Sequence, residues 1–196
     1  MHISEGVLST SIIVSSAAIL VPLIINSVRK LQYEDISKVA LLSAAFFVVS
    51  TIHLPLGVTS VHFMMLGIIG IMLGWHSFTA LLIALLLQAL LIGFGGISSL
   101  AVNTLNTGIG ALVGFYIFAI FKNRLPFVVT SFLVGFLPII ISSLGIAFAL
   151  MFSHEDFITV AKTAFLAHLP LAFVEGVIMV FLFKTLQKYQ IKGLEL

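Results

Sequence analysis

The chain has 196 residues, 61% of them hydrophobic and 8% charged, with a formal net charge of +2 and a mean hydropathy of +1.28. A soluble domain carries about a quarter charged residues, so this composition excludes one, and the 9 Lys and Arg form no basic stripe interleaved with aromatics that would fit nucleic acid. The lack of cysteine removes disulfides, thiolate metal sites and iron–sulfur clusters together, so any metal would be held by nitrogen or oxygen.

In chain order, apolar runs matched to a hydrocarbon core of about 30 Å predict helices near 7–28, 37–54, 61–74, 78–92, 104–121, 126–152 and 158–186. The chain therefore reads as one all-α domain over 1–196, a polytopic helical membrane protein with about seven transmembrane helices. The third and fourth are short and are either two tilted spans or a re-entrant pair. No linker, low-complexity tract or repeat interrupts the chain. Its first residues carry Glu5 and no Lys or Arg, unlike a secretory signal, so the N-terminus is expected to be retained.

Orientation follows from the basic residues, which favour cytoplasmic loops. Arg29, Lys30, Lys38, Lys122, Arg124, Lys184, Lys188 and Lys192 fall at one set of helix ends, and only Lys162 at the other. The expected topology has the N-terminus outside and the C-terminus cytoplasmic. Met1, His2, the 53–62 turn, the glycine-rich 93–96 stretch and the 153–156 segment then face outward. His76, beside Trp75, falls at the inner end and reads as an interfacial residue.

The chemistry starts at Met1-His2. A free amine, the amide nitrogen of residue 2 and Nδ1 of a His at position 2 can close successive five- and six-membered rings on one ion, leaving a fourth in-plane position. Loss of the amide proton favours nickel(II), copper(II) or low-spin cobalt(II) over tetrahedral zinc. A His near a chain start is also commonplace, and the dipeptide alone does not settle ligation. His62, read as opening a short apolar helix, would lie on the same side and can supply a fourth nitrogen; His53 lies near the same mouth, and spacing does not choose between them.

The segments Met1-His2-Ile3-Ser4-Glu5-Gly6-Val7-Leu8, Ile52-His53-Leu54-Pro55-Leu56-Gly57, Thr59-Ser60-Val61-His62, Leu87-Gln88-Ala89, Phe94-Gly95-Gly96-Ile97, Val102-Asn103-Thr104-Leu105-Asn106 and Ala167-His168-Leu169-Pro170 with Glu175 resemble, nearly end to end, the CbiM/NikM family. These are metal-specific substrate-capture (S) components of energy-coupling-factor (ECF) importers, serving cobalt or nickel transport and, for cobalt, cobalamin biosynthesis. The resemblance implies an ATP-driven importer of Co2+ or Ni2+ in the prokaryotic cytoplasmic (inner) membrane. The ion would be carried in a square-planar site built from the Met1 amine, the His2 amide nitrogen, the His2 imidazole and His62. It also implies a loop, here 93–106, that seals the pocket. The implied partners are a membrane coupling (T) subunit, two ATPase subunits that hydrolyse ATP in place of this chain, and a small accessory membrane subunit. Thr107 departs from the family, where many relatives place Met.

Around the metal candidates, His53, Gln88, Gly95, Gly96, Asn103 and Asn106 are expected to support the site or its loop. Asn103 and Asn106, three apart, would share a helix face and either hold the loop and a ligand imidazole or cap the helix. Gln88, costly in lipid unless bonded, is expected to pin the loop. Gly93, Gly95 and Gly96 permit a tight turn, and no GxxxxGK[ST] phosphate loop occurs. Pairs of small residues, Gly70 with Gly74 and Gly110 with Gly114, fit close helix packing. His168 and Glu175, seven apart on one helix face, would relay protons or satisfy one another. The first reading belongs to the rival function, a proton-coupled secondary transporter, which would be expected to show broken helices or inverted repeats. An intramembrane hydrolase lacks its Gly-x-Ser-x-Gly or His-Glu-x-x-His signature.

Overall fold

The computed structural model describes residues 2–56 and 59–188, with residues 54–56 and 59–60 as backbone only. Met1 and the end of the C-terminal tail, 189–196, lie outside the described residues. Among the described residues seven α-helices appear: α1 (Thr10–Arg29), α2 (Tyr33–Thr51), α3 (Leu66–Leu73), α4 (Ser77–Ile92), α5 (Leu100–Phe121), α6 (Phe127–Met151) and α7 (Ile158–Lys188). Five runs among the described residues are long and apolar enough to cross a membrane, namely Thr10–Arg29, Leu66–Ile92, Leu100–Phe121, Phe127–Met151 and Glu155–Lys188. The helix α2 has 19 residues but brings Glu34, Asp35 and Lys38 at its start, and is not among them.

Two expectations are corrected in the region after α2. The chain is not purely helical: β1 (His53–Leu56) and β2 (Thr59–His62) form an antiparallel hairpin in which His53 faces His62. Thr59 and Val61 are β-branched and suit an extended backbone, and Pro55, which cannot donate to a ladder, is tolerated in a two-stranded ribbon with open edges. His62 therefore ends a strand instead of opening a helix. The helix α3 has only 8 residues, about 12 Å at 1.5 Å per residue, too short to cross by itself. It is followed by a 3-10 turn, Gly74–His76, where Gly74 adopts φ +51, a conformation that favours glycine.

The rest follows the pattern of apolar runs with shifted ends. The first helix starts at Thr10 and not near residue 7, because residues 2–9 run extended and turn at Gly6 (φ +74). The helix α5 begins at Leu100, earlier than expected, so Asn103 lies inside it. At its start, α2 extends to Tyr33, with Glu34 and Asp35 in the first turn where the helix dipole favours acids. The bundle closes around α5, which packs on α3, α4 and α6, while α6 lies along α7. Glycines permit the tightest crossings. A Cβ on Gly70 would collide with the Ala111 carbonyl, and one on Gly114 would lie 2.9 Å from Gly67 Cα, so α3 crosses α5 backbone to backbone. Asn106 Nδ2 donates to Ser142 O at 2.7 Å and Ser142 Oγ to Asn106 O at 3.0 Å, tying α5 to α6.

Candidate metal site

The start of the segment leading into α1, His2 and Ile3, is buried at the end of the bundle formed by the start of α5 and the end of α4, while residues 4–6 are exposed. Ile3 is fully buried and His2 is 2% exposed. Burying an isoleucine side chain stabilises by about 2 kcal/mol, but its peptide must also be satisfied. Asn103 does this: its Oδ1 accepts from Ile3 N at 3.0 Å, and its Nδ2 donates to Ile3 O at 3.2 Å. Ser99, one turn earlier on α5, donates to the same carbonyl at 2.7 Å and accepts from Asn103 Nδ2 at 3.2 Å. Two residues on, the Glu5 carboxylate accepts the Ser98 N–H at 3.2 and 3.1 Å. Hydrogen bonds from Ser98, its side chain and then its backbone, hold the Glu5 carboxyl below its usual range.

The loop between α4 and α5 is shaped by left-handed glycines. Gly93 (φ +63) ends α4, with Phe94 N donating back to Gln88 O at 3.2 Å, a glycine helix stop. Gly95 (φ +86) is packed so that an added Cβ would lie 3.6 Å from His2 Cβ, and one on Gly96 would run into Glu5, whose Cα would be 2.9 Å away. The missing side chain of Gly96 leaves the room in which residues 2–5 lie, whereas at Gly95 it is the left-handed backbone that calls for glycine.

The imidazoles of His2 and His62 meet in this enclosure, their ring centres 4.6 Å apart and their planes inclined by 36°. Both residues are 2% exposed. His62 Nδ1 donates to Phe63 O at 2.9 Å, which leaves Nε2 as the lone-pair nitrogen; that atom is buried and has no hydrogen-bond partner among the described residues. Burial pushes the His62 pKa from 6.5 down to about 4, against a smaller upward pull from the Phe63 carbonyl, so the ring is neutral at physiological pH. Phe94 closes the enclosure, with its ring centre 4.6 Å from that of His2 and 5.7 Å from that of His62. On its other side lies His53, 4.6 Å away at 33°; His53 is exposed and its Nδ1 donates to Thr51 O at 2.9 Å. Among the described residues no three His, Cys, Asp or Glu side chains converge as a metal cluster, so an ion held here would need backbone nitrogen beside the two imidazoles.

Several expected supports lie elsewhere. The side chain of Gln88 is directed away from the loop, which meets this residue only at its backbone carbonyl: its Nε2 donates to Phe47 O at 3.3 Å and to Ser50 Oγ, tying α4 to α2. Asn106 faces α6, not the pocket, and neither Asn caps a helix. His168 and Glu175 do not serve one another as the main partners: both Glu175 oxygens are taken by backbone N–H groups of Met64 and Met65, and His168 Nδ1 donates to Ala164 O at 2.6 Å. Sequence reasoning missed the roles of Ser99, whose position at the cap of α5, four residues before Asn103, was the available signal, and of Phe94, which stood out only as part of a family segment.

Comparison with known proteins shows the family of the chain. The family described as "Cobalt uptake substrate-specific transmembrane region", CbiM, matches residues 2–192. A Haemophilus influenzae protein assigned provisionally to metal transport is 45% identical over 118 residues, 60% of this chain and 57% of that one. The fused nickel transport protein NikMN of Rhodobacter capsulatus is 35% identical over 127 residues, 61% of this chain and 37% of that one. Both matches take in less than two thirds of the relative's own length. A crystal structure of a transition metal transporter superposes with a TM-score of 0.86 at 28% identity, covering 98% of this chain and 95% of the other.

Proposed function

The chain belongs to the CbiM family of cobalt and nickel transport proteins, and we propose that it is the substrate-capture component of an ATP-driven ECF importer, carrying Co2+ or Ni2+ in a square-planar site of four nitrogens. With five apolar runs long enough to span and its family membership, it is an integral protein of the cytoplasmic membrane. The pairing of His2 with His62 carries the reading. With metal–nitrogen bonds of about 2.0 Å, two imidazoles at right angles around one ion have ring centres roughly 4.5 Å apart, and two opposed ones roughly 6.3 Å. The observed 4.6 Å fits neighbouring corners of a square. That is the relation the chelate demands: the His2 imidazole and the Met1 amine flank the His2 amide nitrogen, and His62 Nε2 takes the corner opposite the amide.

Chemically, the amide nitrogen is a strong in-plane donor once its proton leaves, and a dry enclosure under Phe94 strengthens every charge–dipole contact within it. In this reading an outside ion sheds water, is gripped by the four nitrogens and is covered by the 93–99 loop. Release toward the cytoplasm would be driven by the partners the family resemblance implies, a coupling subunit and two ATPases with a small accessory membrane subunit. The N-terminus lies outside and the C-terminus inside, as the distribution of Lys and Arg supports.

The test is the metal content of purified protein equilibrated with nickel or cobalt, for a chain starting at Met1 and one extended by a single residue ahead of it. Extension moves the amine away, so the proposal expects bound metal to be lost. Unchanged binding would move the ion elsewhere and reject the chelate.

A further inference from the structure

A chain of three hydrogen-bonded groups runs from the site into α7. His62 Nδ1 donates to Phe63 O at 2.9 Å. That carbonyl and the N–H of Met64 are the two ends of one planar peptide group. The Met64 N–H donates to Glu175 Oε1, and the next N–H, that of Met65, donates to Glu175 Oε2 at 3.0 Å. Glu175 is 4% exposed and Met64 fully buried, so the carboxyl group has been carried deep into the bundle, where polar side chains are costly and mark function. Met65 has φ +52, the one positive value at a non-glycine among the described residues, and such a backbone persists only where its surroundings hold it. Glu175 is itself anchored, since α6 approaches so closely at Gly135 that a Cβ there would lie 2.5 Å from Glu175 O.

Resting on the reading of His62 as a metal ligand, we propose that Glu175 is a positioning residue for His62, acting through the Phe63–Met64 peptide to keep the imidazole hydrogen on Nδ1 and Nε2 bare toward the ion. A metal-ligating histidine commonly passes its second N–H directly to a carboxylate or a backbone carbonyl, which fixes tautomer and ring orientation. Here the two arrangements are joined in series. A peptide whose N–H is held by a carboxylate has a more negative oxygen, so the far hydrogen bond strengthens cooperatively. The grip on two consecutive N–H groups also fixes the peptide plane, and with it the direction in which Nε2 points. Glutamine in place of Glu175 would accept from only one of the two N–H groups and turn an NH2 toward the other.

The experiment is nitrogen NMR of histidine-labelled, metal-free protein at neutral pH, with the His62 signals assigned by their loss in His62→Gln. Nickel affinity is measured on the same preparations. Wild type should show hydrogen on Nδ1 and a bare Nε2. Glu175→Gln should redistribute the tautomer and weaken nickel binding by about 10- to 100-fold, the range typical for loss of such supporting contacts. Ser142→Ala, which loosens the α5–α6 tie away from the site, should leave the tautomer as in wild type. Should the Gln variant not be recovered, Glu175→Asp, which keeps the charge but loses reach, must show the same redistribution. A wild-type His62 carrying hydrogen on Nε2, or a variant that loses nickel with its tautomer unchanged, overturns the proposal. Since the tautomer is read without metal, a wild-type protein that shows it yet binds no nickel would reject the transport site and leave the relay standing.

Discussion

Asn103 pairs with the peptide of Ile3 through both ends of its side-chain amide, accepting at 3.0 Å and donating at 3.2 Å, so that a residue on α5 does for residue 3 what a neighbouring strand would do. Removing it leaves a buried N–H with no replacement, at a cost of about 1–3 kcal/mol. Asn103→Ala should therefore weaken nickel binding by roughly 5- to 150-fold through loss of the segment that carries His2. Asn103→Asp keeps the acceptor for Ile3 N but turns a buried carboxylate oxygen toward the Ile3 carbonyl, so its loss should be at least as large. Calorimetric titration of both variants checks the order.

Gly96 and Glu5 set a steric limit on the same segment. A Cβ at Gly96 would lie 2.9 Å from Glu5 Cα and Cβ, both close to the backbone and unable to swing away. Gly96→Ala should displace residues 2–5 and sharply lower metal occupancy. Glu5→Gln, at a surface contact with Ser98, should change it by a few-fold at most. Metal analysis of the two purified variants separates space from charge.

The buried His62 gives the metal-free protein a pH dependence of defined sign. Its pKa falls from 6.5 to about 4 on folding, so between those values the unfolded chain binds more protons and stability falls as the pH falls. Above 6.5 this contribution is complete and flat. Thermal unfolding in detergent across this window should show a slope that His62→Gln reduces. Nickel binding should weaken at higher pH than His62 titrates, because the amine, with a pKa of about 8, and the amide must release protons first.

Gln88→Leu tests the corrected role of that residue. Its bonds to Phe47 O and Ser50 tie α4 to α2, so the variant should lower thermal stability while the folded protein binds nickel with unchanged affinity. Loss of affinity would return Gln88 to the loop.

What the sequence disclosed depended on the kind of signal. Long apolar runs made α1, α5, α6 and α7 legible, with ends displaced by a few residues. The hairpin escaped because 53–62 reads as a plain turn between two helices: Pro55, Gly57 and Thr59-Ser60 mark a break, and two strands of 4 residues are too short for alternation to show. His2 and His62 were named from chelate chemistry and family resemblance, and the fold brings their rings together. Gln88 was recognised as costly in lipid, Asn106 as a loop support or cap and Glu175 as a partner of His168, but a polar side chain in a helix does not reveal which neighbour it faces. For Glu175 the partner is a backbone break that no periodicity predicts.

X-ray absorption at the nickel edge of the loaded protein tests the central claim most directly. The account predicts a four-coordinate, square-planar ion with only nitrogen neighbours, losing one imidazole contribution in His62→Ala. A six-coordinate ion ringed by oxygen, or a spectrum indifferent to His62, would contradict it.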